Sequence, residues 1–248
     1  MTPLPSADHR PWALPAAPWV MRQRWHDLLF IHWQVDPAVL RPKIPAALQI
    51  DTAPDGSTYL AVVPFHMSGI RPRYLPAVPW LSAFPELNVR VYVRYEDKPG
   101  VFFFSLDAAN PIAVQIARRF YHLPYFNAQM DLRAARGEYY YRSLRVHRGA
   151  TPARFRARYA PVGPVYRAAP GSLDEWLTER YCLYAQNGRG NLYRAEIHHI
   201  PWGLQPAKAE IQVNELAACH GILLPNTPPL LHFAKFLDVY VWQLMRLK

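Results

Sequence analysis

The chain has 248 residues, 51% of them hydrophobic and 19% charged, which excludes a disordered protein and allows a full core without staples. Two cysteines, Cys182 and Cys219, exclude a disulfide framework and a four-cysteine zinc site, and 26 prolines against 11 glycines argue against a mostly helical protein. The net charge of +10 is concentrated, because residues 133–167 hold nine arginines and one acid, Glu138.

Residues 1–20 are expected to be an extended N-terminal segment, and residues 21–248 a single domain. The first 24 residues carry prolines at 3, 5, 11, 15 and 18 and no continuous apolar run, so no secretory leader is expected. No uncharged apolar stretch approaches the ~20 residues of a membrane helix, and the expected location is the cytoplasm. Residues 26–35 read as a strand. Asp36-Pro37 then starts a short helix, with Asp as N-cap and Pro at the first helical position. Residues 58–68 read as a strand interrupted by Pro64, and 69–85, with four prolines, as a long loop.

Residues 86–95 alternate cleanly. Glu86, Asn88, Arg90 and Tyr92 share one face, and Leu87, Val89, Val91 and Val93 the other. A turn at 97–100 leads to a strand at 101–107. Asn110-Pro111 opens a helix to about Tyr121 with Ile112, Ala113, Ile116, Ala117 and Phe120 on one side. Residues 126–133, 137–147 and 153–160 form a meander. In its last strand Phe155, Ala157 and Tyr159 are expected inside, and Arg154, Arg156 and Arg158 outside. Ser172 and Glu175 form a capping box for a helix through about Tyr184. Residues 191–200, 206–213 and much of 230–245 read as strands.

The chain lacks a dinucleotide fingerprint, a P-loop, H-E-x-x-H, C-x-x-C and G-x-S-x-G. His198 and His199 are adjacent on a strand and point to opposite faces, so no metal site and no cofactor are expected. Two strand faces carry polar clusters: Glu86, Asn88 and Arg90 on one, and Arg194, Glu196 and His198 on the other. Such alternation fits a solvated face or the inside of a closed barrel. Opposite charges at i and i+2 satisfy each other, as burial requires.

Four segments carry a resemblance: "FPELNVRVYV", "KPGVFFFSLDA", "YRAEIHHIPWGLQPAKAEI" and "LLHFAKFLDVYVWQLMRL". From about Trp25 to Leu247 the chain resembles the YqjF-like bacterial proteins, which are similar to the acetoacetate decarboxylase-like superfamily. The resemblance implies a mainly β (α+β) fold, a β-barrel or β-cone with a few peripheral helices around a small-molecule pocket. It also implies where the decarboxylase lysine pair would fall, directly after a proline. Here the matching phrase is Leu123-Pro124-Tyr125-Phe126, and neither position is an amine, so Schiff-base decarboxylation is not expected. A family arginine near the first strand falls on His26, and the family's pocket carboxylates have no clear counterpart in 59–76.

The expected pocket is lined by Glu86, Asn88, Arg90, Tyr125, Arg194, Glu196, His198 and His26, with at least one ion pair. Glu86, Tyr125 and Arg90 are the candidate catalytic groups: a carboxylate base with a phenol or guanidinium as electrophile, acting on an enolisable carbonyl. The expected ligand is a small oxo-acid or other carbonyl or carboxylate metabolite, gripped by arginine. Lys235 shares parity with Phe233 and Leu237. It is expected to snorkel at a strand end, the alternative being a buried, nucleophilic amine. The rival reading is a binding protein using the 133–167 face for nucleic acid or an acidic partner, with tyrosines to stack on bases. No nucleic-acid-binding phrase supports it. A homo-oligomer is compatible with the superfamily.

Overall fold

The computed structural model describes residues 4–247. The chain is mostly β. The strands are β1 (Met21–Gln34), β2 (Gln49–Ile50), β3 (Tyr59–Pro72), β4 (Phe84–Tyr95), β5 (Lys98–Ala108), β6 (Tyr125–Ala135), β7 (Glu138–Arg145), β8 (Arg154–Pro161), β9 (Cys182–Gln186), β10 (Leu192–His198), β11 (Leu204–Asn214), β12 (Leu230–Val241) and β13 (Met245–Arg246). The α-helices are α1 (Pro37–Leu40), α2 (Pro111–Phe120) and α3 (Leu173–Thr178). Among the described residues no helix is long and apolar enough to cross a membrane.

The strand pairings form two closed circuits. One runs β5-β6-β7-β8-β11-β12-β1-β3-β4 and back to β5. The other runs β5-β9-β10-β12-β1-β3-β4 and back to β5. All pairs are antiparallel except β5–β6 and β5–β9. The shared wall is largely apolar on both sides, as expected when neither face meets water, with a polar interruption on β4. On one side Leu29, Ile31, Leu87, Val89 and Val91 pack against Tyr141, Phe155 and Tyr159 of the meander. On the other, Leu28, Phe30, Val63, Phe65 and Leu106 face the second circuit.

Local chemistry sets the element starts as expected. The Asp36 side chain accepts from Ala38 N and caps α1. That of Asn110 accepts from Ile112 N and Ala113 N, with Pro111 in the first turn of α2. The Ser172 Oγ accepts from Glu175 N, while the Glu175 carboxylate takes Gly171 N rather than completing the box on Ser172.

Four expectations are corrected. Pro64 does not interrupt its strand. The register between β1 and β3 jumps from His26 to Ile31, where Asp27 has φ 52, so Pro64 lies opposite an irregularity with no partner on β1 to need its missing N–H. The expected 69–85 loop shrinks to residues 73–83, because β3 and β4 extend into it. The helix at 173 ends at Thr178, and residues 182–186 form β9, where pairing with both β5 and β10 overrides local preference. On α2 the buried residue is Val114, while Ile112, Ile116 and Phe120 are exposed.

The last meander strand follows the expected parity. Phe155, Ala157 and Tyr159 are buried, while Arg154, Arg156 and Arg158 are exposed. Arg154 pairs with Glu215, and Arg158 with Glu210. Arg156→Glu should leave stability within about 0.5 kcal/mol of the parent, because a solvated side chain strands nothing when reversed. A thermal melt checks this, and a collapsed transition would mean the register is inverted.

Candidate functional site

A cavity of about 290 Å³ lies inside the second circuit, walled by β1, β3, β4, β5, β9, β10 and β12 and flanked by α2. Most of its lining is apolar, including Trp25, Phe65, Phe103, Ile197, Trp202 and Val241. A small polar set interrupts this: Gln23 from β1, Glu86, Asn88 and Arg90 from β4, Tyr125 at the start of β6, and Thr178, Arg180 and His199. The clean alternation of β4 delivers three of them, since every second residue faces the same way. Tyr125 arrives because Pro124 ends the turn after α2, and Tyr125 opens the parallel pairing with Leu106.

Glu86 is buried and does not pair with Arg90. The Tyr125 hydroxyl donates to Glu86 Oε2 at 2.7 Å. Burial pushes the Glu86 carboxyl up to about 8, a rise that the Tyr125 hydrogen bond opposes and the nearby Asp107 reinforces. At neutral pH Glu86 is therefore a carboxylic acid, a donor as well as an acceptor. Burial and then Glu86 itself push the Tyr125 phenol well above its ordinary value.

Arg90 is 7% exposed, and its Nε and Nη2 have no hydrogen-bond partner. Those atoms form the edge of parallel N–H groups that grips a carboxylate bidentately. The guanidinium lies 5.2 Å from the Phe30 ring centroid and 5.9 Å from that of Tyr92. No carboxylate lies within ion-pair distance of it among the described residues. Arg180 is held differently. Its Nη1 donates to Asp51 Oδ2 at 2.6 Å and its Nε to the Trp176 carbonyl, while Nη2 has no partner. Asp51 also accepts from Arg94 Nε at 2.9 Å. His199 is pulled down to about 4 by burial and is neutral. The cavity wall thus carries an excess of positive charge and two guanidiniums with free N–H groups.

The expected site divides. Glu86, Asn88, Arg90 and Tyr125 come together in the cavity. Arg194, Glu196 and His198 do not reach it: Ile197 faces the cavity, and its neighbours on β10 face away. Glu196 instead binds Arg10 Nη2 at 3.2 Å, Trp12 Nε1 at 2.8 Å and Lys98 Nζ at 3.0 Å, and Arg194 Nη2 lies 3.9 Å away. That set fastens the segment before β1 to β10. His198 bonds the Pro5 carbonyl and stacks with His9. His26 also lies off the lining and bonds Ser68 Oγ at 2.6 Å. Among the described residues, Glu86, Arg90, Arg194 and Glu196 therefore form no ion pair within the cavity. Arg194 and Glu196 pair on the far side of β10, and Glu86 is neutral. Lys235 is exposed and bonded to Asp27 and Tyr139. Its partial burial would lower its pKa, but those bonds more than offset this and raise it.

Arg180 and its partner Asp51 escaped the sequence reading. Arg180 sits in the break between α3 and β9 that the expected helix ran through. Asp51 follows the two-residue β2, and neither carries a local signal. Among the described residues no cluster of His, Cys, Asp and Glu could hold a metal.

The family model DUF2071, described as an uncharacterized conserved protein, matches residues 22–238. The chain belongs to this family. It is 47% identical over 234 residues to the uncharacterized protein YqjF of Bacillus subtilis (strain 168), covering 94% of this chain and 95% of that one. In fold it is similar to acetoacetate decarboxylase from Legionella pneumophila, at a TM-score of 0.65 and 14% identity over 94% of this chain and 88% of that one. An acetoacetate decarboxylase-like enzyme from Sphingomonas wittichii RW1 is similar at a TM-score of 0.63 and 14% identity, over 94% of each chain. The enduracididine biosynthesis enzyme MppR, solved in complex with pyruvate, is similar at 0.63 and 11% identity, over 95% and 93%. This DUF2071 protein thus has the acetoacetate decarboxylase-like fold.

Proposed function

We propose that this DUF2071 protein binds a carboxylate-bearing carbonyl metabolite in the cavity and does not process it through a Schiff base. The observation that carries this reading is the Nε–Nη2 edge of Arg90, buried without a partner and without an acid to neutralise it. An uncompensated buried guanidinium is costly unless an anion joins it. Arg180 offers a further free N–H to the same ligand. Glu86, protonated and fixed by Tyr125, is placed to donate to a carbonyl or enolate oxygen, the electrostatic support that proton transfer beside a carbonyl needs. The pyruvate bound in the similarly folded MppR fits the same ligand chemistry.

Among the described residues no lysine lines the cavity, and Tyr125 and Phe126 stand where the resemblance would place the amines. A phenol cannot condense with a ketone, so the electron sink for decarboxylation is missing. Borohydride trapping with acetoacetate or pyruvate should leave the intact mass unchanged, while calorimetry should show acetoacetate binding that weakens in Arg90→Met. A stable reduced adduct would overturn the first half, and acetoacetate affinity unchanged by Arg90→Met the second.

A further inference from the structure

The smallest oxo-acids can reach the guanidiniums but fill only part of the cavity. At about 290 Å³ it sits near the low end of the roughly 300–1,000 Å³ typical of pockets for drug-sized ligands. A three-carbon acid held by Arg90 would leave most of the aromatic and aliphatic wall uncovered. The polar groups are also unevenly placed. Glu86, Asn88, Arg90, Thr178, Arg180 and His199 are all buried, the half-buried Gln23 accepts from Trp25 Nε1 at 2.9 Å, and the exposed lining residues, Pro72 and Ile116, are apolar. Along β4, Glu86 and Arg90 are four residues apart, about 13 Å between Cα atoms at strand spacing. The opening lies beside α2 and the 73–83 loop, which are tied together where Asn110 Nδ2 donates to the Trp80 carbonyl at 3.0 Å. Both expose further apolar side chains there, Trp80 at 66% and Phe120 at 63%.

We infer that the cavity takes a monocarboxylate with an extended apolar chain or ring, larger than three- and four-carbon oxo-acids, bound carboxylate-first on Arg90 and Arg180 with its apolar end toward α2. This rests on the carboxylate reading above and adds the size class and direction of the ligand. The apolar end replaces water along the wall, so each methylene buried tightens binding by roughly fourfold. The charged end makes the direction unique, because a carboxylate left at the apolar mouth would forgo both guanidiniums.

Calorimetry of the full chain with acetoacetate, butanoate, hexanoate, octanoate and 1-octanol tests this. The expected result is affinity rising roughly fourfold per methylene from butanoate to octanoate, with octanol at least tenfold weaker than octanoate. Arg90→Met should erase the difference between octanoate and octanol. Arg90→Lys, which keeps the charge but not the fork, should retain part of it and serves if the methionine variant does not fold. Carboxylates that bind with no gain beyond butanoate would overturn the size inference and leave the carboxylate reading standing. Octanol binding as tightly as octanoate would overturn the orientation. No binding by any carboxylate, acetoacetate included, would overturn both readings.

Discussion

Glu86→Gln should flatten the fall in stability that the parent protein shows between about pH 6.5 and 8. In the folded chain the Glu86 carboxyl is raised to about 8, chiefly by burial, against an ordinary value of 4.5. A folded pKa above the unfolded one means the folded state holds a proton that the unfolded state has lost. The contribution is complete below pH 4.5 and disappears as pH rises through 8, at about 1.4 kcal/mol per pH unit. Across the stated window this amounts to about 2 kcal/mol. The window is selective. His198, His199 and His220 are lowered to about 4 by burial, so their contribution is complete above pH 6.5 and is lost only as pH falls. Asp107 is raised to about 6, chiefly by burial, so it is mostly ionised at the start of the window and adds only a small slope there. Denaturant melts of parent and variant at pH 6.5, 7.25 and 8 measure the slope. An equal slope in both would show that Glu86 ionises normally.

Asp51→Ala should destabilise by roughly 3–5 kcal/mol, whereas Arg90→Met should leave the ligand-free protein within about 1 kcal/mol of the parent. Both residues belong to the same charged neighbourhood, and the difference is one of partners. Asp51, buried at 3% exposure, answers both Arg180 and Arg94. Removing it strands the buried Arg180 guanidinium, whose remaining contacts are one carbonyl and the Tyr92 and Trp176 rings. Arg90 has no acid to strand, and a methionine can cover Phe30 and Tyr92 in its place. Urea unfolding at pH 7 separates the two. A large loss in Arg90→Met would mean that the guanidinium is structurally paired and not waiting for an anion.

The scaffold was legible where short-range chemistry decides it. Period-two alternation in β4 placed Glu86, Asn88 and Arg90 on one face, and that face is the cavity wall. Capping groups at Asp36, Asn110 and Ser172 marked three helix starts. The same alternation misled in β10. It grouped Arg194, Glu196 and His198 correctly but could not say which side of the strand meets the cavity. Only the segment docked through Arg10 and Trp12 decides that. Two sets of alternating charges thus had opposite fates. Arg180 and Asp51 were illegible for another reason: they are 129 residues apart and meet only after the second circuit closes.

Closure of the two circuits leaves the sheet with only β2 and β13 as terminal strands among the described residues, each two residues long. A free strand edge is a row of unpaired amides and carbonyls that recruits strands from other molecules. At β2 and β13 that row is a residue or two long, with Gln49, Met245 and Arg246 exposed beside it. By contrast, β6 pairs with β5 only over Tyr125–Asn127 and β11 with β12 only over Leu204–Pro206, so residues 128–135 and 207–214 are paired on one side. Any template for cross-molecule β-pairing therefore lies along those two stretches of β6 and β11, where Lys208, Glu210 and Gln212 are exposed on β11.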